Sequence, residues 1–307
     1  MDGVLIGTIC VASISSSIQD LVNHDPVRNL SLLVWYSFAS VFICVGFGLW
    51  MRRCGKKWGF QILVADSQLW IMEGVISFCV FAAFGLASPL LAKFTPEMLK
   101  AIPGVPPELL AAIPSPTVAD AISQYVKNMS QFGILLALLV TMGVVVQEKE
   151  RGTAAFFLTR PVSRETFLLA KFAALTVTFI ASLALAAAGC WYYTLVLFAP
   201  LAWGPFLALN GLMLVAFLVY MALALLASTI ARTNGVAVGL AFVALILVSG
   251  IGALPTIGEY LPGRLFSWGA TLMLGGNGTA WPAFGISLGI IAIALAAACI
   301  IFRHQEV

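Results

Sequence analysis

Histidines, cysteines and paired carboxylates most often carry catalysis or hold a metal, and this sequence gives them little chance to act together. Its two histidines, His24 and His304, stand near opposite ends of the 307 residues, so no imidazole-based centre is expected. Six cysteines are present without any Cys-x-x-Cys spacing. Cys44, Cys79, Cys190 and Cys299 fall within apolar runs and Cys54 in a basic segment, which suits small packing residues better than a zinc site or a redox couple. A phosphate-cradling loop needs Gly-x-x-x-x-Gly-Lys followed by Ser or Thr. The nearest stretch, CGKKWG at 54–59, lacks both the first glycine at that offset and the hydroxyl. No catalytic, metal or cofactor residue is therefore assigned, and any ATP would be bound by another subunit.

Charge gathers instead in EKERGTAAFFLTRPVSRETFLLAK, residues 148–171, which holds eight of the 16 basic and 13 acidic side chains. Gly152 breaks the preceding helix, and Thr153 can cap a short helix, AAFFLT, that ends where Pro161 forces Arg160 out of the helical region. Six residues make a rod of about 9 Å. Ala154, Phe157 and Leu158 share one face with Phe156 beside them, and Glu148, Glu150, Arg151, Arg160 and Arg164 surround the ends. Ser163 caps the next helix, and Glu165 in its first turn complements the dipole. A short aromatic knob in a charged collar suits insertion into a groove of a partner protein. The competing reading is an amphipathic segment on the lipid headgroups, although interfacial helices are usually longer and do not need the Gly-Thr and Pro-Val-Ser breaks.

The elements that must position this stretch are membrane helices. The chain is 61% hydrophobic and 9% charged with mean hydropathy +1.03, against the charged fraction of about 25% in soluble domains. The fold class expected is an all-α integral membrane protein, because each span must satisfy its own backbone and the ten-residue alternation of a membrane barrel is absent. Runs long enough to span lie at roughly 32–50, 69–92, 131–147, 167–198, 205–230, 235–254 and 281–302. If residues 51–68 are cytoplasmic, eleven Lys and Arg collect on that side and five on the other, which places the charged stretch in the cytosol. Glu73 is the exception to an uncharged interior. It lies near the start of its span, where snorkelling to the interface is the simpler account and a substrate contact the alternative.

Two outer segments have their own patterns. PEMLKAIP (96–103) recurs as PELLAAIP (107–114), each with Pro at a first helical position, so two short amphipathic helices are expected, either as a surface cap or as a lid over a pore mouth. The Gly-rich stretch 255–279 suits a re-entrant hairpin lining a cavity. At the N-terminus, MDGVLIGTICVASISSS is too short to span and lacks the basic residues of a signal peptide. Residues 1–50 are accordingly read as an extension with an extra helix at 32–50. The alternative is a working start at Met51, within MRRCGKKWGF.

The charged stretch also resembles the E-x-x-x-G-T…P-V-S-R…K signature of membrane subunits of type-2 ABC transporters, in particular the single-domain bacterial permeases. GLASPLLAKFTPEML (85–99) and YVKNMSQFGILLALLVTMGVV (125–145) are similar to that family as well, so the resemblance covers about residues 55–305. It implies a six-helix core bundle of the type-2 ABC exporter type in a permease domain at 51–307, and pairing with a second permease copy as a homodimer or heterodimer. It also implies two ATP-binding subunits, carrying ATP and Mg, that grip the stretch as a coupling helix. Under that resemblance the partner-binding residues are Glu148, Glu150, Arg151, Gly152, Thr153, Phe156, Phe157, Leu158, Arg160, Pro161, Ser163 and Arg164. The protein implied is a multi-pass exporter subunit of the bacterial inner membrane, with no nucleic-acid partner. An amphipathic or lipid-like cargo fits the sparse intramembrane charge, while an ATP-independent channel or a polytopic membrane enzyme is the alternative.

Overall fold

In the computed structural model the described residues are 61–100, 115–150, 152 and 163–305, with side chains from residue 74 onward except 98–100. The expected N-terminal helix at 32–50, the Met51 start, the second repeat at 107–114 and the whole of the short AAFFLT helix lie outside them. Contacts divide the chain into two compact units, Met1–Ala82 and Ala83–Val307. Every regular element among the described residues is helical. Among the described residues six helices are long and apolar enough to cross a membrane: Gly74–Glu97, Val118–Glu150, Arg164–Leu197, Trp203–Ile230, Asn234–Gly252 and Trp281–His304.

The first helix, α1 (Gln61–Lys100), corrects the reading of the repeat. Pro96 was expected to open a short helix, but both Pro89 and Pro96 lie inside α1. A proline within a helix frees the carbonyl four residues back and strains the turn before it, which membrane helices tolerate when side-chain hydroxyls and neighbouring helices help. Hydroxyls sit just before both prolines, each bonding the carbonyl next to the freed one: Ser88 donates to the Phe84 carbonyl and Thr95 to that of Leu91.

The second span starts earlier than its apolar run. Helix α2 (Val118–Asn128) is amphipathic, with Ala121, Ile122, Tyr125 and Asn128 buried and Asp120, Ser123 and Lys127 exposed, so hydropathy alone hid it. Thr117 and Asp120 form a reciprocal capping box at its start, the Thr117 N–H donating to Asp120 Oδ2 at 2.8 Å. A π-turn at Met129–Gly133 joins α2 to α3 (Ile134–Thr141), and a further break separates α3 from α4 (Val146–Glu150). Gly133 is required at the π-turn, because a Cβ there would sit 2.6 Å from the Phe217 ring.

Helices α5 (Arg164–Leu197), α6 (Trp203–Ile230), α7 (Asn234–Gly252) and α9 (Trp281–His304) match the remaining runs. At 34 residues α5 is about 50 Å long, well beyond the hydrocarbon thickness of about 30 Å. Helix α6 is the centre of the bundle: 67% of its apolar window is buried, against 11% for α7 and 17% for α9. Helix α1 meets α5 closely, since a Cβ on Gly85 would fall 2.4 Å from the Ala186 carbonyl oxygen, the kind of small-residue crossing that lets membrane helices touch backbone to backbone. Residues 255–279 are the stretch expected as a re-entrant hairpin. They make a 3-10 turn at Gly258–Tyr260 and one amphipathic helix, α8 (Gly263–Met273), whose Leu265, Phe266, Trp268 and Gly269 are buried. Gly269 lies directly on Leu209 of α6.

Candidate functional site

The described flanks of the charged stretch, at the end of α4 and the start of α5, meet the ends of α6 and α9 and the start of α7. Val145 and Val146 follow the break after α3 and have no helical acceptor for their N–H groups. Both donate to Ser228 Oγ of α6, at 3.1 and 3.0 Å, in a site where all three residues are fully buried. One hydroxyl thus makes the break in the second span tolerable. Replacing it is expected to leave two buried donors unsatisfied, so Ser228→Ala should cost about 2 kcal/mol in a detergent-based unfolding titration. An unchanged midpoint would show that the break does not depend on this hydroxyl.

The next turn carries three charges, each with an internal partner. Glu148 forms a buried ion pair with Lys171 of α5, whose ammonium also lies 5.5 Å from the Phe167 ring. Lys149 reaches the C-terminal end of α6, donating to the Thr229 and Ala231 carbonyls at 2.7 Å each and to Gln305 Oε1 at 3.2 Å. A cation is favoured there, because the last carbonyls of a helix are unsatisfied and bear the negative end of its dipole. Glu150 does the converse at the start of α7, accepting from the Asn234 N–H at 2.9 Å.

Gly152 closes this flank at φ +67°, a left-handed conformation that an L-residue side chain would resist, and its N–H donates to the Lys149 carbonyl at 3.1 Å. On the far flank, Ser163 caps α5 as expected, accepting from the Thr166 N–H at 3.1 Å, with Glu165 in the first turn. Arg164 crosses to the end of α9 and donates to the carbonyls of Phe302 at 3.2 Å, Arg303 at 3.5 Å and Gln305. Phe167 stacks on Phe302 at 5.8 Å, and Val145, Leu168, Leu225, Ala298 and Phe302 form one buried cluster beneath these polar contacts.

Of the residues expected to bind a partner, the structure therefore brings together Glu148, Glu150, Gly152, Ser163 and Arg164 as the two flanks of one segment. Arg151, Thr153, Phe156, Phe157, Leu158, Arg160 and Pro161 lie outside the described residues. Sequence reasoning left out Lys149, Lys171, Ser228 and Gln305. The two lysines fall in the charged stretch itself, whereas Ser228 and Gln305 act across long sequence separations that no spacing reveals.

At the other end of the bundle the aromatic residues gather. Trp191 stacks on Trp203 at 4.4 Å, and Trp268 meets Trp281 edge-on at 5.2 Å. Tryptophans at one level on successive helices suit a membrane–water interface. Just inside lies an uncharged polar cluster: Tyr125 donates to Asn210 Oδ1 at 2.7 Å, and Asn128 donates to Ser88 Oγ at 2.9 Å while accepting from Gln124 at 3.2 Å. These groups satisfy one another and join α1, α2 and α6. Among the described residues no three His, Cys, Asp or Glu side chains converge as metal ligands.

A continuous set of apolar spans around a central α6, with charged helix ends gathered at one side, defines a multi-pass helical membrane protein. The model of the ABC-2 family transporter proteins matches residues 12–307, and the chain belongs to that family. The match takes in residues 12–50, ahead of the motifs that resemble type-2 permeases. The chain is also similar to the uncharacterized transmembrane protein YxlG of Bacillus subtilis (strain 168). They are 23% identical over 224 residues, covering 72% of this chain and 86% of that protein.

Proposed function

We propose that this ABC-2 family membrane protein is the permease subunit of an ABC exporter in the bacterial inner membrane, driven by a separate ATP-binding subunit through residues 148–171. Residues 51–307 make the permease domain and 1–50 an N-terminal extension. A second permease copy completes the pathway, and ATP and Mg belong to the partner. The carrying observation is the anchoring of both flanks of the 151–162 segment. The near flank is tied to α6 and α7 through Lys149 and Glu150, and the far flank to α9 through Arg164. A force applied between the flanks is thereby delivered to several membrane helices, which is what a transmission element requires. Phe156, Phe157 and Leu158 would supply the apolar contact with the partner, and Arg151 and Arg160 its charged rim. The uncharged cluster of Ser88, Tyr125, Asn128 and Asn210 favours an amphipathic or lipid-like cargo over a small ion.

The test is hydrolysis. The purified chain alone is expected to turn over no ATP, since it has no phosphate-cradling loop, and activity should appear when it is co-purified with an ATP-binding subunit. Robust turnover by the isolated chain, free of contaminating ATPase, would overturn the assignment.

A further inference from the structure

Gln305 touches both flanks of the 151–162 segment at once. Its side-chain oxygen accepts from Lys149 at 3.2 Å, its side-chain nitrogen donates to the Thr229 carbonyl at 3.0 Å, and its backbone carbonyl accepts from Arg164. The Lys149 ammonium has three N–H groups, and all three are used, two on the end of α6 and one on Gln305. The Thr229 carbonyl takes both the Lys149 and the Gln305 donors, filling its two lone pairs. Without the Gln305 side chain these contacts separate into two groups. Lys149 would still hold α6, Arg164 would still hold α9 and the Glu148–Lys171 pair would still join the near flank to α5, but no polar contact among those described here would join the ends of α6 and α9.

We propose that Gln305 is a positioning residue that straps Lys149 and the end of α6 to the end of α9, so that α6 and α9 move as one when the segment between the flanks is pushed. The strap stands on the geometry of this chain; its mechanical consequence rests on the proposed function. Gln305 is partly exposed beyond the last turn of α9, so its substitution leaves the buried clusters of the bundle in place.

Hydrogen exchange on the full-length chain in phospholipid nanodiscs tests the strap directly. In the wild type, residues 146–150 and 163–167 should open together. In Gln305→Ala, which keeps the backbone contact to Arg164 but removes both side-chain bonds, 146–150 should exchange about ten-fold faster while 163–167 stays protected. Gln305→Glu keeps an acceptor for Lys149 and should restore much of the protection.

The same variants in complex with the ATP-binding subunit test the consequence, with the non-hydrolysable analogue AMP-PNP and Mg as probe. Wild type should show linked exchange changes in α6 and α9. Gln305→Ala should still bind its partner and hydrolyse ATP, yet lose the α9 response. Unchanged exchange at 146–150 in Gln305→Ala would overturn the strap, and an intact α9 response would overturn its role in transmission. Failure of the wild-type chain to bind any ATP-binding subunit would sink the proposed function and the transmission role with it, while the exchange data from the chain alone still decide the strap.

Discussion

Lys171→Met is expected to lower the stability of the purified protein by about 3–5 kcal/mol, the usual cost of removing one member of a buried ion pair. Lys171 and Glu148 are 11% and 8% exposed, so water cannot compensate the carboxylate once the ammonium is gone. Methionine keeps the length of the lysine stem against Phe167, which confines the loss to the charge. The reverse experiment separates charge from packing. Adding Glu148→Gln to Lys171→Met removes both charges and should recover much of the loss, because an uncharged pair avoids the desolvation that the ion pair must offset. An equilibrium unfolding titration in mixed micelles, run on both single variants and the double, gives the cycle. A Lys171→Met protein as stable as wild type would mean that the Glu148 carboxylate is held by something other than this ammonium.

The bundle was legible because its spans obey one constraint, continuous apolar length, that hydropathy measures directly. The runs at 205–230 and 281–302 agree closely with α6 and α9, and Gly152 and Ser163 were readable from their types as a helix stop and a cap. What hid were features decided by neighbours. Residues 118–128 look too polar to belong to a span, yet α2 presents Tyr125 and Asn128 to Asn210 and Ser88, and that face satisfies itself inside the bundle. Pro96 looks like a helix start by local preference, but α1 continues through it. The break between α3 and α4 leaves no mark in the apolar pattern, since its two orphan N–H groups are met by Ser228, more than eighty residues away in sequence. The candidate site divides in the same way. The charges that flank the segment were visible in the sequence, whereas their partners, the carbonyl ends of α6 and α9 for Lys149 and Arg164 and the start of α7 for Glu150, become visible only when the chain is folded.

The Phe157→Ala, Leu158→Ala double variant is expected to insert and fold like wild type but to lose its ATP-binding partner. In sequence both side chains fall between the two anchored flanks, and the described contacts of Glu148, Lys149 and Arg164 are made with other residues. If they fill a groove on the partner, each truncation should remove about 2 kcal/mol of docking energy, within the range of interface hot spots. Together they should weaken association by about 1,000-fold. Reversing Arg151 at the rim should matter less, under about 1 kcal/mol, and a compensating reversal on the partner could restore it. A segment that merely lies on the lipid surface behaves differently: its substitutions would act through membrane affinity, and no change in a partner protein could rescue them. Co-purification of the two subunits, followed by the ATPase rate of whatever complex survives, distinguishes the two cases. A double variant that retains its partner and its full ATPase rate would remove the coupling role from residues 148–171, and the anchored flanks would then need a different explanation.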